Sequence, residues 1–122
     1  MTNIARALYQ FFSGFGIPAY PKNNIPDNAE PPYISYEVKA PEPLARALLH
    51  AWVWYRGTDY TAVAAKCDAI RAAIGTGVTI SAGGGSIAIF RDNGTPFAQE
   101  QPDPDKTIRV MYLTMVMLAN TD

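Results

Sequence analysis

Strict alternation runs from Tyr33 to Lys39, with Ile34, Tyr36 and Val38 on one side and Ser35, Glu37 and Lys39 on the other. That period of two predicts a half-buried β-strand. Period-four spacing appears twice. Ile4, Leu8, Phe11, Phe12 and Phe15 fall on one face of a first helix, which Thr2 or Asn3 can cap and which Gly14 and Gly16 end. Val63, Cys67, Ile70 and Ile74 make the stripe of a second helix, with Thr58 or Asp59 as its cap and Gly75 and Gly77 as its stop. Val78–Ser81 and Ser86–Phe90, joined through Ala82-Gly83-Gly84-Gly85, read as a β-hairpin.

Two segments do not resolve so simply. In Leu44–Arg56 the first half, Leu44 to Leu49, has helical propensity, whereas Trp52-Val53-Trp54-Tyr55 prefers a strand. One long strand is the better reading, because the strand at residues 33–39 needs a hairpin partner. Thr107–Leu118 is apolar on both faces. Ile108, Val110, Tyr112, Val116 and Leu118 occupy one side; Met111, Leu113, Met115 and Met117 occupy the other. At about 3.3 Å per residue it spans roughly 40 Å. Such a strand suits a helix layer on one face and a neighbouring subunit on the other.

Two connections are longer than the usual ~4–6 residues. Residues 19–40 hold Pro21, Pro26, Pro31 and Pro32, directly after Pro18, and so admit neither a helix nor a central strand. Asp92–Lys106 is polar, acidic and proline-containing, and reads as a loop; a short Gly-Ser turn in place of Thr95–Asp105 is expected to preserve the fold and most of the thermal stability. The expected order is α-β-β-α-β-β-β: an α+β class fold, residues 1–122 forming a single domain in which two helices pack on a mainly antiparallel sheet.

Composition narrows the function classes. Hydrophobic residues make up 48% of the 122 and charged residues 17%, enough for a core without disulfides or metal. The formal net charge is −1, without the basic surplus that phosphate neutralisation requires, so no specific nucleic-acid recognition is expected. The N-terminus lacks a signal-peptide layout, the longest apolar run (Val110–Ala119) is about half a membrane span, and Cys67 is the single cysteine. A soluble chain in a reducing compartment, with no membrane partner, is the expectation.

Candidate chemistry is sparse. His50, the single histidine, lies among leucines and tryptophans with no accompanying motif and reads as structural rather than as a general base. Cys67 sits on the apolar stripe of the second helix, where core packing outweighs nucleophilic chemistry. Gly83-Gly84-Gly85 lacks the Lys-Ser/Thr of a phosphate loop. Asp92, Glu100, Asp103 and Asp105 match no calcium-loop spacing. No catalytic, cofactor or metal residues are therefore assigned, and no enzyme is expected. Trp52 and Trp54 are two apart and share one side of a strand, either buried or anchoring a subunit interface.

Pro18-Ala19-Tyr20-Pro21, Ile25-Pro26 and Pro32-Tyr33-Ile34-Ser35-Tyr36-Glu37, followed by Trp52-Val53-Trp54-Tyr55, Ile87-Ala88-Ile89-Phe90-Arg91, Thr95-Pro96-Phe97 and Ile108-Arg109-Val110-Met111-Tyr112, resemble the tail terminator, or tail completion, proteins of long-tailed bacteriophages. The likeness runs through nearly the whole chain. It departs at Trp54-Tyr55-Arg56-Gly57, where the family continues with a small polar residue after Trp. The resemblance implies a structural virion protein, assembled in the host bacterial cytoplasm, that forms a homo-oligomeric, six-membered ring in the tail or neck. Such a ring ends the tail tube, joins it to the head and lets DNA pass through. Its partners would be further copies of itself, the tail tube protein and the neck or connector proteins. Trp52, Trp54, Met111, Met115 and Met117 are then the expected oligomer contacts, and Glu100, Asp103 and Asp105 the expected partner-contact loop. Competing readings are another neck protein (adaptor or stopper), or a small bacterial enzyme or ligand-binding domain with its pocket around His50 and Trp52.

Overall fold

A computed structural model of the chain describes residues 3–39, 46–92, 94 and 96–120. The two helices, α1 (Asn3–Ser13) and α2 (Thr61–Ile74), lie where the period-four stripes place them. The strands are β1 (Ala19–Pro21), β2 (Tyr33–Lys39), β3 (Arg46–Arg56), β4 (Val78–Ala82), β5 (Gly85–Arg91), β6 (Ala98–Gln101) and β7 (Ile108–Asn120). The long-strand reading of residues 44–56 holds from Arg46 onward; Leu44, Ala45, Thr2 and Thr95 lie outside the described residues.

All strands join one curled sheet in the order β1-β2-β3-β7-β5-β4, with β6 added beside β7. Every pairing is antiparallel except β1 with β2. The fold is therefore a single α+β domain of the expected kind, with two strands more than the alternation predicts. Both extra strands fall within segments read as connections. β1 is a three-residue piece of the proline-rich passage, and Ile34 N–H donates to Pro18 O at 2.8 Å to start its ladder with β2. A proline suits it, because β1 is an edge strand. The passage then turns through a 3-10 turn at Lys22–Asn24 and returns to β2.

The acidic loop needs the larger correction. Its middle is β6, which pairs in register with β7 from Ala98↔Leu113 to Gln101↔Val110. Thr114 N–H also donates to Phe97 O at 3.0 Å, and Phe97 packs against the core. The segment thus completes a stretch of β7 that β5, registered on residues 115–120, leaves open. It is part of the sheet, so a short turn in its place takes a strand from β7.

The odd-numbered positions of β3 and β7 face the helices. Ala47, Leu49, Ala51 and Val53 meet Leu113, Met115 and Met117, together with Ile34 and Tyr36 of β2, Ile87 and Ile89 of β5, Leu8 and Phe12 of α1, and Val63, Cys67, Ile70 and Ile74 of α2. Fully burying one such aliphatic or aromatic side chain contributes about 1.5–3 kcal/mol. Helix α1 packs against both β1 and β4, the two edges of the curled sheet, so it covers strand borders that otherwise invite intermolecular pairing. Its first residue sits over the β4–β5 turn. Gly83 there has φ +65°, and a Cβ on it would overlap the Asn3 side chain.

Asp59 caps α2 from just outside, its Oδ1 accepting from Thr61 N–H at 2.9 Å, and that bond holds its carboxyl below the usual carboxylate range. Gly75 closes the helix with φ +56° and an N–H bond to Arg71 O at 2.9 Å. Cys67 lies in the core as expected. Burial, with the Asp68 charge adding to it, pushes the thiol pKa up to about 12, so thiolate is scarce at pH 8. We expect an aromatic disulfide reagent to leave the native chain unmodified at pH 8 while reacting fully in denaturant. Native-state labelling at the unfolded rate would place Cys67 outside the core.

Candidate functional site

The even-numbered positions of β3 and β7 carry a different chemistry. The register stacks them in rows: Tyr33, Trp54 and Val110; Ser35, Trp52 and Tyr112; Glu37, His50 and Thr114; Lys39, Leu48, Val116 and Phe90; and finally Arg46, Leu118 and Ala88. No helix covers this face among the described residues, since α1 and α2 both belong to the core on the other side. The result is a sheet surface bearing two indoles, two phenols, an imidazole and two exposed leucines. Leu48 and Leu118 are 41% and 40% exposed.

The aromatic groups support one another. Tyr33 stacks on Trp54 at 5.6 Å between centroids, Tyr20 of β1 meets Tyr33 at 5.7 Å, and Tyr112 lies 5.2 Å from both Trp52 and His50. Trp54 Nε1–H donates to Ser35 Oγ at 3.1 Å, which satisfies a buried hydroxyl and fixes the indole plane. Lys22, from the 3-10 turn, extends its Nζ over the Trp52 ring at 4.4 Å and lies 3.9 Å from Glu37 Oε2. Lys39 Nζ is 3.6 Å from the other Glu37 oxygen. A cation over an exposed ring contributes about 0.5–1 kcal/mol, and its greater effect is to hold Lys22 and Trp52 in one arrangement. A rigid aromatic surface with a few fixed charges suits docking to another protein, because little side-chain entropy remains to be lost.

His50 Nδ1 and the Tyr112 hydroxyl are 2.7 Å apart. Burial, followed by the positive charge of Lys39, holds the imidazole below its ordinary pKa of 6.5; Glu37 opposes this and Lys22 adds to it. The ring is therefore neutral at pH 7, and in its Nε2–H tautomer it accepts a hydrogen bond from the phenol O–H at Nδ1. The lowered pKa means that below pH 6.5 the unfolded chain binds more protons at this site than the folded one. Stability from this group is fully present above pH 6.5 and is lost as pH falls through the folded-state value. His50→Gln should flatten that part of the stability–pH curve, read as urea midpoints from pH 7 downward. A slope below pH 6.5 that the variant leaves unchanged would assign it to other groups.

The structure divides the residues singled out from the sequence. Trp52 and Trp54 stand side by side on the uncovered face. Met115 and Met117 do not join them: they point to the helices with no exposed surface, and Met111 packs against the same core. They are removed from the expected contact surface because β7 turns its odd-numbered side inward. Glu100 is exposed on β6. Asp103 and Asp105 lie in the turn that follows. Asp103 Oδ2 accepts from Asp105 N–H at 3.0 Å, and Asp105 Oδ1 accepts from the N–H and hydroxyl of Thr107 at 2.8 and 2.7 Å. This turn lies at the Tyr33 end of the face, where burial and the Asp103 charge both raise the Tyr33 pKa.

The competing pocket around His50 and Trp52 does not coincide with the cavity beside α1. That cavity, of about 940 Å³, opens between α1 and the β1–β2 edge, and neither residue lines it. Among the described residues no group of three or more His, Cys, Asp or Glu is placed to hold a metal ion, and no helix is long and apolar enough to cross a membrane. Leu48, Leu118, Tyr112, Lys22, Arg46 and Arg91 belong to or border the uncovered face without having been singled out. The alternation Leu48-His50-Trp52-Trp54 along β3 was the signal that pointed to it. No family model, curated protein or solved structure matches this chain.

Proposed function

We propose that this chain is a structural subunit of a long-tailed phage particle, assembling as a six-membered ring where the tail tube ends and meets the neck. The observation that carries the reading is the asymmetry of the sheet. One face is packed under two helices, while the other presents Trp52, Trp54, Tyr112, Leu48 and Leu118 with no helix over them among the described residues. Apolar surface arranged in this way marks a protein contact more often than a small-molecule site. The motif resemblance to tail terminator proteins supplies the identity of the assembly, and the rigid aromatic rows supply a docking surface for it. In this role the protein performs no chemistry. It is held by itself, by the tail tube and by neck proteins, with DNA passing through the opening.

The test joins molar mass in solution to electron microscopy of tails incubated with the protein. The expected result is a closed ring, free or seated at tail ends. Trp52→Glu should disperse it while leaving the circular dichroism spectrum unchanged, because a half-buried charge on the uncovered face is tolerated until a partner must cover it. A wild-type chain that stays monomeric and also fails to bind tail tubes overturns the proposal.

A further inference from the structure

Beside the uncovered face, the molecule carries two regions of opposite charge. Where β3 begins, Arg46 and Arg91 line a cavity of about 490 Å³ together with Phe90, Val116, Leu118 and Asp92. Both arginines are exposed, and neither forms an ion pair or hydrogen bond among the described residues. Leu48 and Leu118 are exposed beside them. Guanidinium groups bordering apolar surface are weakly hydrated and bind carboxylates through two parallel N–H bonds.

In the other region, residues 100–106 carry Glu100, Asp103 and Asp105 against one lysine, Lys106, a local charge of −3 + 1 = −2. Two arginines lie nearby: Arg56 pairs with Glu30 at 3.0 Å while its charge also acts on Asp105, and Arg109 donates to the carbonyls of Thr58, Lys106 and Ile108. Pro102 and Pro104 stiffen the segment, which lowers the entropy lost when it docks.

Val110, opposite Gln101, and Leu118, opposite Arg46, are eight residues apart on β7, which is roughly 26 Å of extended strand. Met111, opposite Glu100, and Met115, opposite Arg91, are nearer, four residues or about 13 Å apart, yet no ion pair joins the acidic segment to either arginine among the described residues. We propose that the Arg46–Arg91 cavity of one copy receives the Glu100–Asp105 segment of the next. This rests on the ring reading above and adds the joint between subunits. Opposite charges in separate regions make like regions repel and unlike regions attract, which selects a head-to-tail contact, and such contacts close into rings when the rotation permits. The charges set register and association rate, while Leu48 and Leu118 supply the apolar area.

Charge reversal tests the joint by sedimentation velocity at low and high salt. R46E/R91E and, separately, E100K/D103K should each weaken self-association at least about tenfold, and the wild-type contact should weaken with salt. Carrying both reversals in one chain should restore association to near the wild-type level, because the complementarity is then re-established with the signs exchanged. Asp103 also serves its own turn, so E100K alone is the second acid-end variant; Glu100 forms no hydrogen bond or ion pair among the described residues. Single-end reversals that associate like wild type overturn the joint and leave the ring reading standing. So does a folded double reversal that stays dispersed, which would assign the arginines to an acidic partner other than a second copy. A wild-type chain dispersed at every concentration overturns the joint, and its binding to tail tubes then decides the ring reading separately.

Discussion

Phe12→Ala is expected to remove about 4 kcal/mol of unfolding free energy, near the middle of the range for deleting a buried aromatic ring. Phe12 has no exposed surface, stacks on Tyr36 of β2 with centroids 4.9 Å apart, and meets the edge of Phe11 at 5.1 Å. It is the main anchor of α1, and α1 covers both borders of the sheet. The loss is large against the roughly 5–15 kcal/mol that holds an ordinary domain together. A second consequence follows from position: once α1 loosens, β1 and β4 present unpaired edges, so the variant should aggregate well below the wild-type melting temperature. Urea unfolding followed by circular dichroism measures the first effect, with Tyr9→Ala as the control. Tyr9 is on the same helix but 46% exposed, and its loss should cost no more than about 0.5 kcal/mol. Equal losses in the two variants would show that α1 is not held through Phe12.

Replacing residues 97–105 by a short Gly-Ser linker should cost about as much, for a different reason. The replacement removes the four β6 residues registered on Val110–Leu113 and the Phe97 carbonyl that accepts from Thr114 N–H. Ladder bonds contribute about 1 kcal/mol each net, and withdrawing Phe97 from the core costs roughly a further 1.5–3 kcal/mol. Val110 and Leu113, both without exposed surface, would also meet water. A fall of about 4 kcal/mol is expected, partly offset by the shorter connection. Denaturant titration decides the matter: a shortened chain as stable as wild type would show that β6 contributes nothing to the sheet.

Periodicity carried most of this fold because most of its elements bury one face only. The stripes Leu8–Phe12 and Val63–Ile74, the alternation of β2, and the hairpin through Gly83-Gly84 all report a single buried side, which is what a period of 3.6 or 2 encodes. β1 and β6 were illegible for the opposite reason. Ala19-Tyr20-Pro21 is three residues long, and Ala98-Gln99-Glu100-Gln101 has no apolar alternation. Each becomes a strand because a longer neighbour, β2 or β7, offers an unpaired edge to it, and that is a property of the partner. β7 raised a third difficulty. Apolar on both sides, it does not say which side the helices take, so the methionines and the Tyr112 side were equally eligible for exposure. The answer was encoded in β3. Its odd positions from Ala47 to Val53 are small or aliphatic and accept a helix, while its even positions hold His50, Trp52 and Trp54, whose polar atoms need partners that a helix-packed core does not supply. The basic cavity was harder still, because Arg46 and Arg91 are distant in sequence and belong to strands on either side of β7, opposite Leu118 and Met115.

Trp52 and Trp54 are the only tryptophans in the chain, and both stand on the face that the helices leave bare. The emission of the protein is therefore a local optical signal. Repacking around Met115 or Cys67, on the far side of the sheet, has little means of altering it, whereas any body that settles over the indoles strips water from them and shifts the spectrum to the blue. With Lys22 poised 4.4 Å above one indole and Ser35 bonded to the other, the two report on different neighbours. Substituting either Trp by Phe would isolate the remaining one, giving a separate spectroscopic reading for the Lys22 end and the Tyr33 end of the same surface.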